Sequence, residues 1–135
     1  EPDYAAAAKL GPEALPFLKE LVEGADVGLA SKAAYAAGLI GGEPSMAVLE
    51  KAAASHDPVV RVAAASSIRN LKEEQAGRLM DLIAKDADAG VRKVMIKSAA
   101  KFSSPQMMAR IQKVADKDPE PFVKELAVKI VKKPK

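Results

Sequence analysis

Internal repetition constrains the fold of this chain more than any other feature. The phrase "DPVVRVAAASSIRNL" at 57–71 returns as "DAGVRKVMIKSAAKF" at 88–102 and, more loosely, as "EPFVKELAVKIVKK" at 120–133. Aligning Asp26, Asp57, Asp88 and Glu120 gives steps of 31, 31 and 32 residues. Val60, Val91 and Val123 then fall together, followed by Arg61, Arg92 and Lys124 and by Ala64, Met95 and Ala127. Upstream of each acid lies a second apolar stretch in register, at 13–24, 44–55, 73–85 and 105–117. A fixed period of this size marks stacked supersecondary units, because one unit cannot bury its apolar face alone.

Both stretches read as helices. In 57–71, Val60, Ala64, Ser67, Ile68 and Leu71 recur at three and four, which makes one apolar stripe. Asp57 is placed to cap free amides, and Pro58 sits where its missing N–H costs nothing. Ser104 before Pro105 repeats that start signal. Gly24, Gly41 with Gly42, and the polar stretch 86–90 read as stops or turns. No period-2 strand pattern occurs. The spacing predicts about eight helices within one domain over 1–135, in copies at about 12–41, 42–72, 73–103 and 104–133. A helical stub at 3–11 aligns with the end of the later second helices through Tyr4 and Tyr35.

Alanine supplies much of the 49% hydrophobic content, and only 4% of residues are aromatic. Small side chains bury little area each, so a core built on them must be thin and must bring backbones close together. A formal charge of +3 is too small by itself to imply nucleic acid. With no cysteine, disulfides and thiolate metal sites are excluded, and a single histidine makes no cluster. No run approaches the roughly 18 apolar residues of a membrane span, so no membrane partner is expected. The sequence opens at Glu1 without methionine, compatible with an excised fragment or a mature form stripped of a targeting segment. Localisation is open, with the cytoplasm as default.

These pairs resemble HEAT repeats, of the short kind of about 30 residues that also occurs in the phycobilin-lyase-like group. The resemblance is carried by the aspartate in the turn inside each pair, by the valine and arginine opening the second helix, and by a proline in the first, here Pro16. It spans about 12–133. The first copy departs with Leu29 and Ala30 in place of valine and arginine, and the last with Glu120 and Lys124, as terminal copies commonly do. The resemblance implies an all-α fold, a right-handed α-α superhelix (HEAT-like solenoid) of about four helical hairpins. It also implies that Asp57, Asp88 and Glu120 form an acid and base ladder with Arg61, Arg92 and Lys124 that ties one copy to the next. In such solenoids the second helices line the concave face.

Charge can then be sorted by face. The second helices 57–71, 88–102 and 120–133 carry ten bases against four acids, and the first helices 12–23, 43–55, 73–86 and 105–118 carry seven against eleven. A basic concave face and an acidic outer face are expected. Lys93, Lys97 and Lys101 form an i, i+4, i+8 stripe. Its equivalents are Ser31, Tyr35 and Leu39, then Val62, Ser66 and Asn70, and finally Glu125, Lys129 and Lys133. The groove should begin small, apolar and aromatic and finish cationic. Tyr35, Ser66, Arg69, Asn70, Lys93, Lys97, Lys101, Lys129 and Lys133 are the candidate partner-binding residues.

No catalytic set is written in the sequence. "GLIGGEP" at 38–44 lacks the lysine and hydroxyl residue of a phosphate loop and reads as a helix stop. His56 beside Asp57 has no second histidine or cysteine, which favours a surface or capping role. Glu73, Glu74 and Asp81 suit helix support, since acids in a first turn favour the dipole. Ser66, Ser67, Ser103 and Ser104 have no histidine to activate them. Met46, Met80, Met95, Met107 and Met108 fall mostly on apolar stripes, as core filler.

The expected function is a non-catalytic protein-protein interaction or scaffold module without cofactor or metal, its oligomeric state open with a monomer favoured. It would bind an acidic surface or an extended segment of another protein on its basic concave face. Nucleic-acid backbone binding in the same groove is the alternative, contacting Arg69, Lys93, Lys97, Lys101, Lys129, Lys132 and Lys133. A tetrapyrrole lyase-like or carrier subunit, implied by the phycobilin-lyase-like resemblance, is the third, with the ligand beside Tyr35.

Overall fold

The computed structural model describes Lys9 and residues 11–133. A 3-10 turn at Gly11–Ala14 leads into α1 (Leu15–Glu23), α2 (Val27–Ile40), α3 (Gly42–Ala53) and α4 (Pro58–Ser67). After a second 3-10 turn at Ile68–Asn70 follow α5 (Glu73–Ile83), α6 (Ala89–Ala99), α7 (Pro105–Lys117) and α8 (Pro121–Lys132). Among the described residues there is no strand. Consecutive helices pair as four antiparallel hairpins. The first helices (α1, α3, α5, α7) stack in one layer and the second helices (α2, α4, α6, α8) in another. The chain is therefore an all-α HEAT-like solenoid. The stub at 3–11 lies outside the described residues except for Lys9 and Gly11.

Side-chain size assigns the layers. Leu18 of α1, Met46 and Leu49 of α3, Leu79, Met80 and Ile83 of α5, and Met107 and Ile111 of α7 are at most 2% exposed and fill the space between layers. Neighbouring second helices meet through small residues instead: Ala33, Ala34, Ala36 and Ala37 of α2 and Ala63, Ala64 and Ala65 of α4 have no exposed surface. At the closest approach a Cβ on Gly38 would fall 2.6 Å from that of Ser67. Ser67 Oγ donates to Ala63 O at 2.8 Å and lies 3.4 Å from Ala34 O on the neighbouring helix. Alanine is thus abundant because adjacent backbones must nearly touch.

Helix starts follow local chemistry. Asp26 accepts from the Leu29 amide at 3.0 Å, Asp57 from Val59 at 2.8 Å, Asp88 from Gly90 at 2.7 Å and Ser104 from Met107 at 3.1 Å. Each such cap contributes about 1 kcal/mol. Glu120 holds the equivalent place, but its side chain makes no cap bond. One boundary differs from expectation: the second helix of 57–71 stops at Ser67, and Arg69 and Asn70 lie on the 3-10 turn. Burying Leu71, which is 3% exposed, takes the chain off the helix axis.

The ladder between copies uses other acids than expected. Arg61 Nε pairs with Asp86 at 2.8 Å, and Arg92 grips Asp118 through Nε at 2.8 Å and Nη2 at 3.0 Å. Each arginine also donates to the turn preceding its own helix: Arg61 to Ser55 O at 3.0 Å, Arg92 to Asp86 O at 2.7 Å. Asp57 and Asp88, expected as ladder acids, fold back onto their own first turns and cannot reach another copy. Asp86 and Asp118, two residues before Asp88 and Glu120, stand where the preceding copy's arginine arrives. Their second task is to accept from the Asp88 and Glu120 amides, each at 2.9 Å. Glu120 and Lys124 form no ion pair among the described residues, so the last rung is not made.

Burial pushes the Asp118 carboxyl upward, yet the Arg92 hydrogen bonds, the Glu120 amide and the charges of Arg92 and Lys124 outweigh it and leave it below the ordinary aspartate value. Arg92 is raised, chiefly by its hydrogen bond to Asp118 and against desolvation.

At the first junction Ala30 and Ser55 stand where later copies have arginine and aspartate. An open groove of about 530 Å³ lies there, lined by Gly24, Val27, Ser55 and Asp57 among others. Installing the missing rung with Ala30→Arg and Ser55→Asp together is expected to add about 1 kcal/mol of stability, while Ala30→Arg alone, an unpaired charge, destabilises. Thermal denaturation of the two singles and the double checks the sign of the coupling.

Candidate partner-binding face

The second helices lie side by side and start from equivalent caps, so residues equally far from the cap share a face. Tyr35, Ser66, Lys97 and Lys129 each stand nine residues beyond Asp26, Asp57, Asp88 and Glu120. Tyr35, Lys97 and Lys129 are exposed and Ser66 is half-buried. One turn on, Leu39, Asn70, Lys101 and Lys133 form a second exposed row. In the row before, Lys93 and Glu125 are exposed, Val62 is half-buried and Ser31 is buried. The surface thus passes from Tyr35 and Leu39, 41% and 54% exposed, to five exposed lysines at the far end.

Arginines and lysines divide the work. Arg61, Arg78, Arg92 and Arg110 each hold a carboxylate, at 2.8, 2.7, 2.8 and 3.1 Å. Arg69 Nη2 reaches Ser98 Oγ of α6 at 3.4 Å, so this candidate binding residue also bridges two copies. By contrast, Lys97, Lys101, Lys129 and Lys133 have no ion-pair partner among the described residues. Lys93 Nζ lies 5.8 Å from the centre of the Phe122 ring on α8, and Lys101 Nζ 5.1 Å from that of Phe102. Aromatic faces hold these two ammonium groups in place without neutralising them.

One expectation about charge is corrected. Arg61 and Arg92, counted with the basic face, run along the turn edge and are neutralised there. Within the net-acidic first-helix layer the bases are clustered: Lys85, Arg110, Lys113 and Lys117 line a cleft between α5 and α7. Charge is sorted along the stack as well as between layers. Residues 1–72 hold seven bases against nine acids, and residues 73–135 hold fourteen against nine.

His56 is exposed in the turn before α4, where its carbonyl accepts from Arg61 at 3.2 Å. Among the described residues no group of three His, Asp or Glu side chains is arranged to hold a metal ion, and no helix is long and apolar enough to cross a membrane.

The sequence matches no family model and no curated protein. Among solved structures the fold is similar to a chain in the complex of CpcE and CpcF of phycocyanin lyase from Nostoc sp. PCC7120. The TM-score is 0.73 at 21% identity, over 94% of this chain and 85% of that one. At that identity the likeness is one of fold.

Proposed function

We propose that this chain is a non-catalytic protein-interaction module whose free second-helix face grips an acidic or extended segment of another protein. The observation that carries this reading is the division between bases: the arginines are occupied in holding the solenoid together, while Lys97, Lys101, Lys129 and Lys133 stay exposed, with no ion-pair partner among the described residues. Unpaired ammonium groups in register over adjacent helices raise the local potential and favour an anionic partner. Tyr35 and Leu39 offer apolar contact at the other end. That the structural neighbour was solved as a complex of two proteins is in keeping with this role.

Fluorescence anisotropy with a labelled glutamate-rich peptide tests it. Binding should weaken as salt rises, and Lys97→Glu with Lys129→Glu should weaken it at least tenfold. An affinity untouched by that double reversal removes the proposal. A duplex oligonucleotide retained more tightly than the peptide would move the assignment to nucleic acid, although among the described residues Tyr35 and Phe122 are the only exposed rings near this face.

The structural neighbour supports a second reading, in which the chain is a lyase-like or carrier subunit that holds a tetrapyrrole beside Tyr35. A visible absorbance change on adding a bilin, abolished by Tyr35→Ala with Leu39→Ser, would establish it. No spectral change ends it.

A further inference from the structure

The first-helix side of the molecule carries two features that the partner-binding face leaves unused. One is the cleft between α5 and α7, about 460 Å³ in volume. Buried Met80, Met95 and Val114 line it, together with the exposed bases Lys85, Lys113 and Lys117, and its two acids, Asp81 and Asp118, are already held by Arg110 and Arg92. Arg110 bridges its walls by pairing with Asp81 at 3.1 Å and lying over Gly77, where a Cβ would meet the guanidinium at 2.7 Å. No acid pairs with the three lysines among the described residues.

The other feature is a knob on α1. Phe17 is 62% exposed, more than any other large apolar side chain described. Glu20 stands three residues after it, on the same helical face, and Glu13 lies on the 3-10 turn that leads into α1. Both are exposed and have no ion-pair partner among the described residues. An aromatic ring flanked by acids complements an apolar cleft flanked by bases.

We infer that these features meet between two copies of this chain, in an antiparallel pair joined through their first-helix faces. Phe17 of each copy enters the α5–α7 cleft of the other, with Glu13 and Glu20 set against Lys85, Lys113 and Lys117. Antiparallel placement makes the contact twice and closes the assembly, as a two-fold axis requires. It also lays the acid-rich half of one copy on the base-rich half of the other, twice. The monomer expected from sequence is then the dilute state of a weak dimer. The second-helix faces stay free on the outside, so this pairing neither needs nor blocks partner binding there.

Sedimentation velocity across a concentration series tests the pairing. A dimer with Kd on the order of 10–100 μM in low salt is expected, dissociating as salt rises. Phe17→Ser should weaken it at least tenfold. Glu13→Lys with Glu20→Lys, and separately Lys113→Glu with Lys117→Glu, should each abolish it, since each gives copies whose facing halves repel. Mixing these two double variants should restore a heterodimer, because both contacts are then attractive again. All these positions are exposed, and circular dichroism verifies that the variants fold. A wild-type chain that stays monomeric to millimolar concentration in low salt overturns the inference. So does a dimer indifferent to Phe17→Ser, or a mixture that remains monomeric. Lys97→Glu with Lys129→Glu should leave dimerisation unchanged while weakening peptide binding at least tenfold, which separates the two faces.

Discussion

Asp118→Ala should cost about 3 kcal/mol, the low end of the range for breaking a buried ion pair, and lower Tm by roughly 10 °C. The partners leave only 8% and 4% of their side-chain surface exposed, so removing the acid strands Arg92 in a place it cannot readily solvate. The loss is double, because Asp118 also accepts from the Glu120 amide that starts α8. The figure stays at the low end because exposed Pro119 lies beside the pair and water is near. Differential scanning calorimetry on wild type, Asp118→Ala and the double variant Asp118→Ala with Arg92→Met gives the comparison. The double should recover part of the loss, since an apolar pair of similar volume leaves no stranded charge.

The same pair sets a pH dependence whose sign is fixed. Asp118 titrates below its ordinary value in the folded chain, so its contribution is complete above the unfolded aspartate pKa of about 3.9. It is lost as pH falls through the lower folded value. The stability gap between wild type and Asp118→Asn should therefore be constant from neutral pH down to about 5 and shrink below about 4. Urea titrations at several pH values measure it, and a gap that widens with acid would contradict the assignment.

Gly38→Ala is the second large effect, about 2–3 kcal/mol destabilising, although alanine is the better helix former by about 1 kcal/mol. The new methyl would fall 2.5 Å from Ser67 Oγ and 2.6 Å from its Cβ, so no serine rotamer relieves the overlap. The helices α2 and α4 must part, and the fully buried alanines on both sides lose contact. Ser67→Gly removes the obstructing Cβ from the opposite helix. Gly38→Ala with Ser67→Gly should then be more stable than the sum of the singles by at least about 1 kcal/mol. Strict additivity would mean that these helices do not meet there.

Capping and layer assignment were legible in the sequence because they are local. Asp26, Asp57, Asp88 and Ser104 each act on an amide two or three residues away, and the apolar stripes report burial through spacing alone. The ladder was half legible. Arg61 and Arg92 stood out by recurrence, but their partners Asp86 and Asp118 lie 25 and 26 residues on, and a nearer acid in each turn competed for the role. A cue was present: Ser55, Asp86 and Asp118 all stand two before the cap, and the last two are acids just where the next copy follows an arginine. The register of Lys97 and Lys129 followed from periodicity. The cleft of Lys85, Lys113 and Lys117 did not, because it joins two first helices whose separation only the packed stack sets. The contact of Lys93 with Phe122 was hidden for the same reason.

The most direct test of the solenoid as a device with one face spent on packing and one left for a partner is amide chemical-shift mapping with a glutamate-rich peptide. Perturbations should gather at Tyr35, Ser66, Asn70, Lys97, Lys101 and Lys129, run continuously across α2, α4, α6 and α8, and fade with added salt. Shifts confined to the first helices α1, α3, α5 and α7, or no shifts at millimolar peptide, would contradict that division of labour.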